Sequence, residues 1–118
     1  MIWSRGVATG KITKQKFVQL IAANPAKING LYPQKGDIAI GSDADIVIFD
    51  PEYRGTIHWE NCPNGVDYNV YEGEPMLGRV ETVLLRGNTV VSNAKFVGQY
   101  GQGQFVPAKC FAAAYTGL

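Results

Sequence analysis

GSDADIVIFDP, residues 41–51, sets two acidic residues, Asp43 and Asp45, against four consecutive apolar ones, Ile46, Val47, Ile48 and Phe49. Paired carboxylates are a signature of metal or acid–base chemistry, whereas an Ile-Val-Ile-Phe run is the signature of a buried strand. A hard cation wants about six oxygen donors, and a zinc ion wants His or Cys. The sequence around Asp43 and Asp45 supplies neither cluster. Fully buried, the four apolar side chains would contribute on the order of 6–12 kcal/mol before entropy is subtracted. The stretch therefore reads as a central strand over 45–49, ended by Asp50-Pro51, with the two carboxylates at its mouth accepting N–H bonds from a turn. It is core, and no catalytic, cofactor-binding or metal-ligating residue is assigned to it.

Upstream of this strand the period is helical. Residues 1–12 read as irregular, with Gly6 and Gly10 as breaks. Thr13 can cap a helix over 14–23, its hydroxyl accepting an early backbone N–H. Phe17, Leu20 and Ile21 fall at i, i+3 and i+4 on one apolar stripe of that helix. Asn24-Pro25 then ends it and starts a second, short helix over 25–29, with Asn24 as cap and Gly30 closing it.

Downstream the chain is extended. Gly36-Asp37 reads as a turn, 38–40 as a short strand, Gly41-Ser42 as another turn and 56–59 as a further strand. Residues 60–78, rich in Gly and Pro, read as a long loop or broken ribbon. The clearest hairpin has arms 80–86 and 89–92 around Gly87-Asn88 as a two-residue primed turn. From residue 98 the chain runs GQYGQGQFVPAKCFAAAYTGL, Gly/Gln-rich and then apolar. A helical start, a β middle and a tail make a lopsided domain. Helix 14–23 is marginal alone, and its stripe needs a surface the β part does not obviously supply. Such a chain reads as the end of something larger.

The bulk composition narrows the function. With 118 residues, 46% hydrophobic and 18% charged, this is a globular composition for one domain or part of one. A compact chain of this size buries roughly 65% of its unfolded surface. A net charge of +1, with no basic stripe or acidic block, calls for no nucleic-acid or membrane partner. No apolar segment approaches the ~20 residues of a bilayer span, and the first residues lack a leader-peptide pattern. Cys62 and Cys110 make no disulfide framework and no CxxC pair. The expectation is a cytoplasmic chain with reduced thiols.

The remaining candidates are thin. His58, the single histidine, stands in Thr56-Ile57-His58-Trp59 without a sequence-local partner and reads as a half-buried strand residue. Cys62-Pro63 has no helix N-terminus or basic cluster beside it to lower its pKa. The glycines of Gly98-Gln99-Tyr100-Gly101-Gln102-Gly103 neither follow a clear strand nor open an amphipathic helix, as a phosphate loop requires. Tyr68, Tyr71, Tyr100 and Tyr115 read as packing or interface groups.

NPAKINGLYPQKG, residues 24–36, running on into GSDADIVIFDP, resembles the C-terminal portion of cyclic amidohydrolases of the dihydropyrimidinase/hydantoinase group. The preceding SRGVATGKITKQKFVQLIAANPAK is similar to that family's last barrel helix and its lead-in. DYNVYEG, the GRVETVLLRGNTVV hairpin and the GQGQF tail favour this branch over allantoinases and dihydroorotases, and the likeness covers nearly all of residues 3–107. The resemblance implies a mixed, mainly β fold. Residues 1–35 would be the end of a (β/α)8 barrel with its closing helices. Residues 36–97 would be the C-terminal part of a β-sandwich built from both ends of the chain, and 98–118 an interface tail.

The family's chemistry, on this resemblance, is hydrolytic opening of a dihydropyrimidine or 5-substituted hydantoin by two zinc ions bridged by a carbamylated lysine. Its metal ligands and substrate loops lie on barrel strands upstream of what corresponds to Met1. No catalytic, cofactor or metal residue is therefore carried over, and Asp43 and Asp45 are not the family's metal aspartate. The implied partners are the missing N-terminal barrel and a second copy, met through the sandwich edge and the tail. Two rivals stand beside this reading. One is a non-catalytic dihydropyrimidinase-related protein of assembly or signalling. The other is a self-sufficient small β module.

Overall fold

The computed structural model describes residues 1–62 and 65–109. Four helical segments, the last three continuous, lead into one antiparallel sheet. The chain starts with a wide π-type turn, Trp3–Val7, where irregular backbone was expected. Helix α1, Lys14–Val18, begins at Thr13, whose extended backbone and side chain accepting from the Lys16 N–H at 3.1 Å make the expected cap.

The anticipated break at Asn24-Pro25 does not occur. Asn24 has helical φ and ψ of −67° and −45°, and a π-type stretch, Gln19–Ala23, joins α1 directly to α2, Asn24–Ile28. Pro25 explains the wide turn. Its ring would press on the carbonyl four residues back and it has no N–H to offer, and a π turn re-aims the carbonyls. The Asn24 N–H accordingly donates to the Gln19 carbonyl, five residues back. Gly30 closes α2 as expected, at φ +66°, with its N–H on the Lys27 carbonyl and the Leu31 N–H on the Ala26 carbonyl. That is a Schellman motif.

The sheet is a meander, β1 (Ile46–Thr56), β2 (Pro75–Leu85), β3 (Asn88–Ser92) and β4 (Lys95–Phe96), in spatial order β1-β2-β3-β4. The opening stretch is thus a strand, but an edge strand rather than a central one, and Val47 and Ile48 are about half exposed. It also runs past Asp50-Pro51. A register shift between Asp50 and Arg54 absorbs the proline, as edge strands and bulges permit. Thr56 ends β1, so 56–59 is not a separate strand, and Trp59–Asn61 is a single 3₁₀ turn. Ile38-Ala39-Ile40 joins no strand among the described residues, and Ile40 is fully exposed.

The β2–β3 turn is displaced by one residue from its expected place. Leu85 pairs with Asn88, and the turn residues are Arg86 and Gly87, with φ of 48° and 81°. A second tight turn at Asn93-Ala94, both with positive φ, sends β4 back along β3. A two-residue turn with positive φ at both positions matches the twist of a hairpin.

Helices and sheet meet at one aromatic cluster. Trp3 lies 4.5 Å from Phe49 and 5.3 Å from Phe17, centroid to centroid. Beneath it Gly78 adopts φ +74°, and a Cβ there would lie 2.6 Å from the Phe49 ring and 2.9 Å from Trp3 Nε1. Ser4, buried, ties the first turn to β2. Its Oγ accepts from the Leu77 N–H at 3.0 Å and donates to the Leu77 carbonyl at 3.2 Å. Beyond this joint there is little interior, and Ala26 is the sole buried hydrophobic side chain among the described residues. The surface area of 8468 Å² exceeds by about a third the ~6,300 Å² of a compact monomer of this mass. A radius of gyration of 15.8 Å likewise exceeds the ~13.5 Å of a compact chain.

Candidate functional site

Asp43 and Asp45 come together with a partner the sequence did not single out, Lys35. Its Nζ sits 2.8 Å from Asp43 Oδ2 and also bonds Asp45 Oδ2. Gln34 Nε2 donates to Asp43 Oδ2 at 3.1 Å, and the backbone N–H of Asp43 donates to the Gln34 carbonyl. The remaining oxygen of Asp45, Oδ1, accepts from the backbone N–H of Arg86 at 2.8 Å. Next to it the Gly87 N–H donates to the Ala44 carbonyl. The expectation that these carboxylates accept N–H bonds from a turn is met for Asp45, although the turn lies 41 residues away.

The electrostatics follow from this geometry. The hydrogen bond from Lys35, helped by that from Gln34, holds the Asp43 carboxyl below the usual carboxylate range. Burial works to lower the Lys35 ammonium, but hydrogen bonds to Asp43 and Asp45 outweigh it, so it titrates above its ordinary value. A carboxylate kept ionised and a lysine kept charged are poor proton carriers at neutral pH. The group is a clamp that joins the 33–36 turn, the mouth of β1 and the β2–β3 turn.

A second polar group lies on the long connection between β1 and β2. The Ile57 N–H donates to the Glu74 carbonyl and the Gly73 N–H to the Ile57 carbonyl, each at 2.9 Å, so the connection closes at its base. Glu72 fastens its shoulder, with Oε1 2.8 Å from His58 Nδ1 and Oε2 accepting the Trp59 N–H at 2.8 Å. His58 lies beyond the strand, with its side chain about half exposed, which corrects its expected place in a strand. The hydrogen bond with His58, then that from Trp59, holds the Glu72 carboxyl below its ordinary value. Cys62 Sγ accepts from Asn69 Nδ2 at 3.0 Å. Pro63, Cys110 and Tyr115 lie outside the described residues.

This donor set does not fit a zinc ion. Among the described residues no three His, Cys, Asp or Glu side chains converge in a way that could hold a metal, and Asp43 and Asp45 are already engaged by Lys35. The glycines at 98, 101 and 103 border no helix N-terminus. No helix among the described residues is long and apolar enough to cross a membrane. Lys35, Glu72 and Arg86 escaped notice in the sequence because each meets its partner across a turn or between strands, at no fixed spacing.

The model of the amidohydrolase family matches residues 2–94. Over 106 residues the chain is 45% identical to a D-hydantoinase of Ralstonia pickettii, an alignment covering 90% of this chain and 23% of the relative. The solved dihydropyrimidinase of Brevibacillus agri superposes with a TM-score of 0.90 at 48% identity, over 94% of this chain and 24% of that one. An L-hydantoinase (dihydropyrimidinase) structure from Arthrobacter aurescens gives 0.84 at 30% identity, over 88% and 23%. The chain thus spans about a quarter of the length of these proteins. Its open sheet is consistent with the C-terminal sandwich region of the hydantoinase fold.

Proposed function

The chain belongs to the amidohydrolase family, and from that premise we propose that it is a support module of a cyclic amidohydrolase of the dihydropyrimidinase/hydantoinase group. The whole enzyme hydrolyses the C–N bond of a dihydropyrimidine or hydantoin ring, and its binuclear zinc centre lies on polypeptide outside these 118 residues. Residues 1–35 close the barrel, 36–97 complete the sandwich on its flank, and 98–118 together with the free sheet edge meet a second copy. One observation carries this reading: a chain matching its relatives over nine tenths of its own length and a quarter of theirs has only Ala26 as a buried hydrophobic among the described residues. The apolar faces of α1 and β1 are surfaces made to be covered.

The test is complementation. The purified chain alone is expected to open no hydantoin or dihydropyrimidine ring. Co-expression with the first three quarters of a hydantoinase relative should restore zinc-dependent turnover. Chelator-sensitive hydrolysis by the purified chain alone would overturn the proposal, as would failure of the two pieces to associate.

A further inference from the structure

The segment after β4 is held at three places. The Val97 and Gly98 N–H groups both donate to the Val90 carbonyl, at 2.9 and 3.1 Å. Arg86 Nη2 donates to the Gln102 carbonyl at 2.6 Å. The Lys109 N–H donates to the Gly30 carbonyl at 2.7 Å, so closely that a Cβ on Gly30 would lie 2.2 Å from the Lys109 carbonyl oxygen. Between the last two anchors Phe105 is almost fully exposed and contributes little packing. Lys109 also walls a cleft of about 400 Å³ with Pro33, Gln34, Ile40 and Asp43. The segment therefore crosses from the hairpin side of the sheet to the end of α2 and closes over the 33–43 loop.

We propose that residues 98–109 form a latched strap, that Arg86 is its latch, and that Asp45 is the residue that sets the latch. Arg86 occupies φ +48°, a left-handed conformation that a side chain with a Cβ resists. Asp45 Oδ1 holds it there through the backbone N–H, and Ala44 holds Gly87 alongside. With the turn fixed, the guanidinium reaches Gln102. The acidic residue at the mouth of β1 thus governs the strap without touching it. This inference goes beyond the proposed support role and stands whether or not that role is right.

Amide exchange on the full chain tests it, read at the Lys109 N–H with sheet amides such as Val83 and Val91 as internal reference. In the native protein the Lys109 amide should be protected. Arg86→Gly suits the left-handed turn better than arginine but removes the guanidinium, so it should raise Lys109 exchange about tenfold or more while leaving the sheet amides unchanged. Arg86→Lys, which keeps a donor, should restore part of the protection. Asp45→Ala should also release Lys109. The proposal is overturned if Lys109 is unprotected in the native chain, or if Arg86→Gly leaves its exchange unchanged. Equal acceleration of the strap and sheet amides would overturn it too, because Arg86 would then act on the hairpin and not on the strap.

Discussion

Gly78 and Lys35 show how single residues hold the two halves of this chain together. Any residue with a Cβ at position 78 would collide with Phe49 and Trp3 while adopting φ +74°. Left-handed strain and overpacking each cost on the order of 1–3 kcal/mol, so Gly78→Ala should destabilise the chain by about 3 kcal/mol in a denaturant melt. Removing Lys35 would leave Asp43 and Asp45 facing one another without their shared cation. Lys35→Met is expected to cost about 1 kcal/mol, since the pair is only partly shielded from water. The pH dependence has a definite sign. Asp43, through Lys35, and Glu72, through His58, both titrate below their ordinary values in the folded chain. The unfolded chain therefore takes up protons first, and the stability these groups supply is complete above about pH 5. It is lost as pH falls through the unfolded values near ~4 and then through the lower folded ones. Urea midpoints between pH 6 and pH 3 should fall less steeply in Asp43→Asn than in the native chain, and equal slopes would contradict the clamp.

At the level of elements, what the sequence disclosed depended on how far each cause lay from its effect. Thr13 and Gly30 act within one turn of their helix, and both perform as their residue types suggest. Thr13→Ala should accordingly cost about 1 kcal/mol, measurable as lost amide protection at Lys16. The apolar run 46–49 likewise announces a strand. Its position at the sheet edge was not legible, because strand order depends on partners that pattern alone does not name. Asn24 has the right chemistry for a cap, yet the chain keeps its hydrogen bonds through a wide turn instead, a choice made by Pro25 and the following helix. The one-residue slip of the Gly87-Asn88 turn has a long-range cause. Asn88 is the better residue for positive φ, but the Arg86 N–H is claimed by Asp45, and the turn settles one position earlier. β4 escaped because Asn93-Ala94 lacks the glycine that usually marks such a turn. The candidate site shows the same limit, since the acids were visible and their partners Lys35 and Arg86 were not.

For the molecule as a whole, the deciding quantity is apolar surface without a neighbour. Among the described residues β1 pairs with β2 alone, so its outer edge offers unpaired backbone groups, and Val47 and Ile48 stand exposed beside it. Leu20 and Ile21 of the expected stripe are exposed as well, while Phe17, its third member, is taken up by Trp3 and Phe49. An open edge next to apolar side chains is the usual template for strand addition. On its own, the chain is therefore expected to bind a hydrophobic dye. It should also associate with itself at concentrations on the order of tens of micromolar. Position 47 lies on that edge and is more than half exposed. Val47→Lys should suppress association in sedimentation while leaving the helix–sheet joint, read by Trp3 fluorescence, unchanged. Covering the surface with the complementing three quarters of a hydantoinase should abolish dye binding in the same way. A native chain that melts cooperatively as a monomer and binds no dye would mean that these faces are stable in water on their own. The self-sufficient β module would then be the better description, and the need for a covering partner would disappear.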